Sequence, residues 1–310
     1  MNGDFTFMLP SPLQKIEDTL IEEKRISLYI KRDDLIHESI SGNKWRKLKY
    51  NLEALKEDSI LTFGGAFSNH VAACAAICND LNIKSIALIR GEESEELNPT
   101  LNLARELGMQ LEFISRTEYR KKDDPEFLEA IKMKYGNPYI IPEGGANVPG
   151  LKGSAEMLNE IDIDFDVIIS AVGSGATIAG MSMALKEEQK AVGILVLKGA
   201  EYIEGEISRL LKSALSEEDA LKAMKKISLN HQYHFNGYAK INDELLNFMR
   251  SFYTQHAIQT DPVYSGKSLF ALYDMIRNDQ FVPGSTIIYY HCGGLQGIKG
   301  MENRYNFKLY

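Results

Sequence analysis

The chain has 310 residues, which is long enough for one large domain or roughly two ordinary ones. Its 35 basic and 43 acidic side chains leave a formal charge of −8, which argues against nucleic-acid binding because that usually needs a basic surface. Hydrophobic residues make up 44% of the chain, and no apolar run approaches the roughly 20 residues of a membrane-spanning helix. The start shows no signal-peptide pattern, so the sequence predicts a cytoplasmic protein that does not associate with membranes.

Short β-branched runs alternate with helical patterns along most of the chain. The predicted strands are 28–34, 59–65, 85–91, 110–115, 139–145, 166–175, 194–199 and 285–291. The predicted helices between them include 43–56, 69–81, 152–161, 177–188 and 265–278. This alternation predicts an α/β fold with mostly parallel sheets, and the nearly continuous apolar strands indicate that both sheet faces are covered.

The three cysteines lie in apolar stretches of the sequence. Cys74 and Cys78 are four residues apart in a predicted helix, so they share one face and are interpreted as small buried hydrophobic residues. A zinc site would need a second pair of ligands, and none follows at metal-ligand spacing, so no bound metal is expected.

Three predicted strands are followed at once by glycine and then by a helix. The junctions are Gly64-Gly65 before Ser68-Asn69-His70, Gly173-Ser174-Gly175-Ala176-Thr177, and Cys292-Gly293-Gly294. Ligands of open α/β sheets bind beyond the carboxyl ends of the strands, and a glycine-rich turn at a helix start offers N–H groups to a phosphate. Ser174 and Thr177 add hydroxyl donors to the second junction, although a tight strand–helix connection explains its glycines equally well.

One lysine stands at an electrostatically unfavourable place. Lys44 lies at the start of the predicted helix 43–56, where the helix dipole favours anions. One interpretation is an ordinary solvated lysine in a basic cluster with Arg46, Lys47 and Lys49. The other is an amine of lowered pKa that can form a Schiff base.

Five blocks of the sequence, in order and spacing, resemble one enzyme family. They are Ser-Gly-Asn-Lys-x-Arg-Lys-Leu at 41–48, Gly-Gly-Ala-x-Ser-Asn-His at 64–70, Val-Gly-Ser-Gly-x-Thr at 172–177, Asp-Pro-Val-Tyr-x-Gly-Lys at 261–267 and His-x-Gly-Gly at 291–294. Together they are similar to the 1-aminocyclopropane-1-carboxylate deaminase and D-cysteine desulfhydrase family, within the tryptophan-synthase-β-like, fold type II pyridoxal-phosphate enzymes. Five ordered blocks are far more specific than any one of them.

The resemblance implies which residues bind pyridoxal 5′-phosphate. Lys44 would hold the cofactor through a Schiff base, and Asn69 would hydrogen-bond its phenolic oxygen. The turn Gly173-Ser174-Gly175-Ala176-Thr177 would surround its phosphate group. Cys292 would lie at the pyridine ring, either as a weak donor toward the ring nitrogen or as a packing residue beneath the ring.

The resemblance also implies which residues meet the substrate, a small amino acid. Ser68, Asn69 and His70 would face its carboxylate, with the Ser68 hydroxyl close to the reacting carbon. Tyr264 would lie beside the cofactor near the substrate, and Tyr238 would be a second active-site tyrosine. Ser68, Tyr264 and Tyr238 would therefore take part in catalysis together with the Schiff-base lysine.

The implied reaction is a β-elimination followed by deamination. The displaced Lys44 amine would remove the Cα proton, and the resulting carbanion would expel a β-leaving group. D-Cysteine would give pyruvate, ammonia and sulfide. The cyclopropane substrate has no Cα proton, so its ring opening to 2-oxobutanoate and ammonia is the alternative activity. A catalytically silent protein that only binds the cofactor is the second alternative.

Three positions discriminate between the two activities and together favour elimination. The resemblance implies that ring-opening members have glutamine at the position of His70 and an acidic residue at the position of Ser265. A glutamate there can keep the pyridine nitrogen protonated and strengthen the electron sink, whereas a serine cannot. At the third position, Cys292, ring-opening members have leucine and desulfhydrase-like members have threonine.

Other residues depart from the family pattern. Ser41 stands where glycine is commoner, Ala176 replaces a loop glycine, and Glu143 stands where an apolar residue is usual. A buried Glu143 without a partner would be costly, so we expect it to face solvent. A contact with the substrate amine is the alternative.

The resemblance implies two α/β domains with open, mostly parallel twisted sheets and the cofactor in the cleft between them. Residues 1–46 and 154–310 would form the large cofactor-binding domain, and residues 47–153 a small inserted domain. A homodimer is the family expectation.

Overall fold

The computed structural model describes residues 6–40 and 42–310, so the departure at Ser41 lies outside the described residues. In this part of the chain ten strands form two sheets. The strands are β1 (Leu13–Ile16), β2 (Ser27–Lys31), β3 (Ser59–Gly64), β4 (Lys84–Arg90), β5 (Gln110–Ile114), β6 (Tyr139–Ile141), β7 (Val167–Val172), β8 (Lys190–Leu195), β9 (Ile227–Asn230) and β10 (Thr286–Tyr290). The α-helices are α1 (Thr19–Glu23), α2 (Asn43–Ala54), α3 (Asn69–Asp80), α4 (Pro99–Glu106), α5 (Arg116–Tyr119), α6 (Pro125–Tyr135), α7 (Val148–Glu156), α8 (Ala176–Ala184), α9 (Ile203–Ala214), α10 (Glu217–Met224), α11 (Asp243–His256), α12 (Ser265–Arg277) and α13 (Gly297–Tyr305).

The larger sheet has the strand order β1-β2-β10-β7-β8-β9, and every pair except the antiparallel β1–β2 is parallel. Successive residues of its central strands point to opposite faces, and both faces are buried. Ile168 and Ile288 pack in the core that includes α8 and α9, whereas Ile169 and Ile287 pack in the core that includes α12. This double coverage explains the continuous apolar strands and confirms the predicted, mostly parallel α/β fold.

The smaller sheet has the order β5-β4-β3-β6 and is parallel throughout. The alanine-rich helix α3 packs against one face, and α5 and α6 cover the other through Tyr119 and Ile131. All four strands fall within the predicted insertion 47–153. Where the chain enters and leaves this region α2 and α7 touch so closely that a Cβ on Gly153 would lie 1.8 Å from the Arg46 carbonyl oxygen. The domain bounds themselves stay a prediction.

The structure corrects several predicted elements. The edge strands β1 and β9 were not expected, and the strand predicted at 194–199 ends at Leu195. The strand predicted at 28–34 stops at Lys31, and a 3₁₀ turn, Asp33–Leu35, follows it. The helix predicted at 152–161 begins four residues earlier and ends as 3₁₀ structure. No α-helix among the described residues is long and apolar enough to cross a lipid bilayer.

Candidate active site

A cavity of about 440 Å³ lies at the carboxyl ends of β3, β4, β7, β8 and β10, so both sheets contribute to its walls. Eleven of the twelve predicted site residues line it: Lys44, Ser68, Asn69, His70, Gly173, Ser174, Gly175, Thr177, Tyr238, Tyr264 and Cys292. The twelfth, Ala176, begins α8 with a buried side chain and is not among the lining residues. Five blocks that lie far apart in the sequence therefore meet in one space.

The Lys44 amine is connected to the glycine turn by a short chain of hydrogen bonds. Lys44 Nζ donates to Asn43 Oδ1 at 2.7 Å, and Asn43 Nδ2 donates to Thr177 Oγ1 at 2.9 Å. Burial lowers the pKa of Lys44, and the nearby Cys292 and Asp261 side chains offset only part of this effect. The amine is therefore held in place and is more readily neutral than a solvated lysine. No sequence pattern indicated a role for Asn43.

Two of the three basic neighbours of Lys44 on α2 are not solvated, so the interpretation as a basic surface cluster is wrong for Arg46 and Lys47. Arg46 and Lys47 are buried. The Arg46 guanidinium lies 3.0 Å from Asp33 and also contacts Glu160, and Lys47 Nζ donates to the Gly144 carbonyl oxygen at 3.0 Å. These contacts fix the first turn of α2 against both sheets.

Gly42 allows α2 to start directly beside Cys292. Its φ of +66° lies in the region that favours glycine, and a Cβ on it would fall 2.0 Å from the Cys292 carbonyl oxygen. The Asn43 N–H donates to that same carbonyl at 3.3 Å. This close approach places the lysine block and the Cys292 block on adjacent walls of the cavity.

The turn between β7 and α8 has the donors and the space that a phosphate group needs. Gly175 has a φ of +80° and caps α8, so the N–H groups of the first helical turn have no acceptor within the helix. The hydroxyls of Ser174 and Thr177 line the same end of the cavity. A Cβ on Gly173 would come within 3.2 Å of the Tyr264 ring, so the missing side chain leaves room there. These residues fit a bound phosphate.

The start of α3 forms another wall of the cavity. Ser68 caps this helix by accepting from the Val71 N–H at 3.2 Å. Asn69 Oδ1 accepts from Gln296 Nε2 at 2.6 Å, a contact between the two sheets' loops that no sequence pattern indicated. The positive end of a twelve-residue helix favours a carboxylate at this place.

His70 lines the cavity but is almost completely buried. Its Nε2 lies 2.9 Å from Thr62 Oγ1 and 3.5 Å from Cys74 Sγ. Burial lowers the pKa of His70 well below its usual range, and the charges of Lys44 and Lys47 act in the same direction. The imidazole is therefore neutral near pH 7. Its role as a substrate contact stays a prediction.

Two tyrosines close another side of the cavity. The Tyr238 and Tyr264 rings lie edge to face with their centroids 6.1 Å apart, and Tyr238 Oη donates a long hydrogen bond of 3.4 Å to the Phe67 carbonyl oxygen. Burial raises the pKa of Tyr238 to about 12 and raises the pKa of Tyr264 well above its usual range. Both hydroxyls are protonated at neutral pH and can donate protons.

Cys292 and Ser265 differ in their access to the cavity. Cys292 lines it, and burial raises the pKa of this thiol to about 12, so it is neutral. Ser265 is fully buried outside the lining, where its Oγ donates to Asp261 Oδ2 at 2.6 Å. Glu143, whose side chain is 38% exposed, also lines the cavity, and its carboxylate lies 3.9 Å from Lys122 Nζ.

Comparisons with known proteins agree with this arrangement. The family model described as pyridoxal-phosphate dependent enzyme matches residues 6–293. A Pyrococcus horikoshii protein with the provisional name 1-aminocyclopropane-1-carboxylate deaminase is 34% identical over 304 residues, which cover 93% of this chain and 90% of that protein. The mitochondrial bifunctional D-cysteine desulfhydrase/1-aminocyclopropane-1-carboxylate deaminase of Arabidopsis thaliana is 34% identical, over 87% of this chain and 73% of that protein. A crystal structure described as an ACC deaminase homologue matches with a TM-score of 0.77 at 30% identity, covering 93% of this chain and 90% of that chain.

Proposed function

This chain belongs to the pyridoxal-phosphate-dependent enzyme family, and from that premise we propose that it is a lyase that eliminates the β-substituent of a small amino acid. The activity would be that of a D-cysteine desulfhydrase, with pyruvate, ammonia and sulfide as products. One observation carries the proposal: a lysine amine of lowered pKa, a glycine turn with hydroxyl donors and the positive end of a helix line the same cavity.

The cofactor would be held from two sides. Lys44 would bind its aldehyde carbon, while Ser174, Thr177 and the first N–H groups of α8 would bind its phosphate. Cys292 would face the pyridine nitrogen. When bound, pyridoxal phosphate supplies an electron sink for the electron pair left at Cα.

The side chains of this protein would bind the substrate and move its protons. The N-terminus of α3, at Ser68 and Asn69, would hold the substrate carboxylate. The Lys44 amine would take the Cα proton, and its hydrogen bond to Asn43 would keep it oriented toward that atom. The protonated Tyr264 hydroxyl would supply a proton to the leaving group.

The surroundings of the pyridine ring support elimination over ring opening. The residue after Tyr264 is a serine that is bound to Asp261 and turned away from the cavity. The Cys292 thiol is neutral, so neither group would keep the ring nitrogen protonated. A weaker electron sink is sufficient to expel a good leaving group such as sulfide. The names of the relatives include both activities, so the cyclopropane substrate has to be tested beside D-cysteine.

The test is 2-oxo acid release from D-cysteine, β-chloro-D-alanine, their L enantiomers and 1-aminocyclopropane-1-carboxylate. We expect pyruvate from the D-amino acids and little 2-oxobutanoate. Lys44→Ala should lose both turnover and the visible absorbance of bound cofactor, whereas Lys49→Ala, a control on the same helix, should keep both. Cofactor binding without turnover of any amino acid would instead identify a silent cofactor-binding protein. A homodimer stays an expectation, which sedimentation of the holoenzyme would check.

A further inference from the structure

A second cavity, here called the outer cavity, adjoins the one that contains Lys44. Its volume is about 670 Å³, against about 440 Å³ for the first. Four residues line both cavities and form a common wall between them: Arg90, Glu143, Ser174 and Tyr202. A three-carbon amino acid does not need this additional space, so a larger side chain could occupy it.

Basic side chains outnumber acidic ones around the outer cavity. Its basic lining residues are Arg90, Arg116, Arg120, Lys122 and Arg209, and its acidic ones are Asp123, Glu143 and Glu206. The lining therefore carries a net positive charge in a chain whose formal charge is −8. Such a local reversal of sign attracts anions to this part of the surface.

Two of the five cations are paired with carboxylates. Lys122 contacts Asp123, and Arg209 Nη2 lies 2.8 Å from Glu206. The other three are Arg90, Arg116 and Arg120, and their side chains form no ion pair or hydrogen bond with any of residues 6–40 and 42–310. Three guanidinium groups at one cavity thus remain available to an anion.

A buried hydroxyl beside these arginines also lacks a partner. Tyr119 lines the outer cavity and is 3% exposed, and its Oη makes no hydrogen bond to any described residue. Burial and the nearby Glu143 carboxylate raise the pKa of Tyr119, so the hydroxyl remains a donor. The Arg90 guanidinium carbon lies 5.7 Å from the centre of the Tyr119 ring. The Tyr119 hydroxyl, which is a donor, and the Arg90 guanidinium, which no carboxylate among the described residues pairs, lie side by side and together would hold an added carboxylate.

Arg90 connects this site to the reacting centre. It is the last residue of β4, and its Nη2 lies 3.6 Å from the position that a Cβ would take on Gly65. Gly65 precedes Ser68, which caps the helix proposed to hold the substrate carboxylate. A substituent that extends from the substrate Cβ past Gly65 toward the outer cavity would therefore meet Arg90 first.

We propose that the outer cavity binds an anionic group on the β-substituent, so that the preferred substrates are amino acids whose leaving group carries a carboxylate. The inference rests on the proposed β-elimination. Arg90 would pair with the carboxylate and Tyr119 would donate to it. Arg116 and Arg120 would attract the anion from solvent, an effect that salt screens.

S-(2-carboxyethyl)cysteine is a substrate of this kind. Elimination breaks its Cβ–S bond, and the sulfur keeps the electron pair and takes up a proton. One water is consumed as the remaining enamine is hydrolysed, which yields pyruvate, ammonia and 3-mercaptopropionate. The matched neutral compound, S-(2-carbamoylethyl)cysteine, has nearly the same size and yields 3-mercaptopropionamide.

The experiment compares kcat/KM for the two compounds, as both enantiomers, in the holoenzyme. We expect the wild type to prefer the acid over the amide by about tenfold, as one charge-assisted hydrogen bond would give, and this ratio to fall toward one in Arg90→Gln. The double variant Arg116→Gln/Arg120→Gln should lower the ratio less and weaken its salt dependence. Arg277→Gln, whose arginine lies 3.3 Å from Asp274 on α12, is the matched control and should keep the ratio.

β-Chloroalanine has no distal anion and reports the proposed elimination separately. If it yields pyruvate while the wild type does not distinguish the acid from the amide, the inference is overturned and the proposed function stands. If no compound yields a 2-oxo acid, the proposed function fails and the inference falls with it. Inorganic phosphate that accelerates turnover of the amide, rather than competing with the acid, would show a separate anion site and also overturn the inference. Should Arg90→Gln not fold, the ratio in Tyr119→Phe decides.

Discussion

Asn43 is the residue whose replacement tests the site most directly. Asn43→Ala removes the acceptor of Lys44 Nζ at 2.7 Å and the donor to Thr177 Oγ1 at 2.9 Å. A buried hydrogen bond contributes about 1 kcal/mol net, and a buried group that loses its partner costs somewhat more. Lys44 and Thr177 both line the cavity, where water can replace part of the loss. We therefore expect the free energy of unfolding to fall by about 2 kcal/mol.

Urea denaturation of the protein without bound cofactor, in which Lys44 Nζ is a free amine, measures this loss. Asn79→Ala, at an exposed position in α3, is the control and should change stability by no more than about 0.5 kcal/mol. A double-mutant cycle with Thr177→Val should show a coupling of about 1 kcal/mol between Asn43 and Thr177. If the free energy of unfolding of Asn43→Ala lies within about 0.5 kcal/mol of the wild-type value, the reasoning is refuted.

The isosteric change Asn43→Asp separates stability from chemistry. The carboxylate still accepts from Lys44, and the Thr177 hydroxyl can turn to donate to it in place of accepting from Asn43, so stability should stay near that of the wild type. Its negative charge favours the ammonium form and raises the pKa of Lys44. The acid limb of the kcat/KM profile should therefore move to higher pH. An unchanged profile would mean that Lys44 is not the base.

Three further predictions concern other parts of the chain. Burial lowers the pKa of Lys267 from 10.5 to about 8, so between pH 8 and pH 10.5 the unfolded chain binds more protons than the folded one. In urea denaturation, the free energy of unfolding of the wild type relative to Lys267→Met should therefore rise by about 3 kcal/mol from pH 8 to pH 10.5. A difference that does not change with pH would contradict the burial of this amine. Gly42→Ala places a Cβ 2.0 Å from the Cys292 carbonyl oxygen and should lower the free energy of unfolding by about 3 kcal/mol or more. Gly205→Ala, which has open space in α9, should raise it by about 0.5–1 kcal/mol. Equal melting temperatures of the two variants would refute this contrast. Cys292, with a pKa of about 12, should react with iodoacetamide at least about 100-fold more slowly than free cysteine, and equal rates would show an exposed thiol.

The sequence predicted the fold where the pattern was local. The predicted strand 59–65 and the predicted helix 69–81 differ from β3 and α3 by one residue each. β1 and β9 were missed because each is a four-residue edge strand that, within residues 6–40 and 42–310, pairs with a single strand, β2 or β8. A short run of mixed polarity carries no strand pattern of its own.

In the candidate site, too, some features were visible in the sequence and others depend on the tertiary structure. Glycine-rich turns, a lysine at a helix start and five ordered blocks, all visible in the sequence, predicted the residues that line one cavity. The burial of Arg46 could not be predicted, because its partners Asp33 and Glu160 are distant in sequence and only the fold brings their charges together. The chain from Lys44 through Asn43 to Thr177 likewise exists only once α2 and α8 are adjacent. Residue type and spacing determined which chemistry the chain carries, whereas hydrogen bonding and desolvation, which depend on neighbours from remote segments, were decided by the tertiary structure.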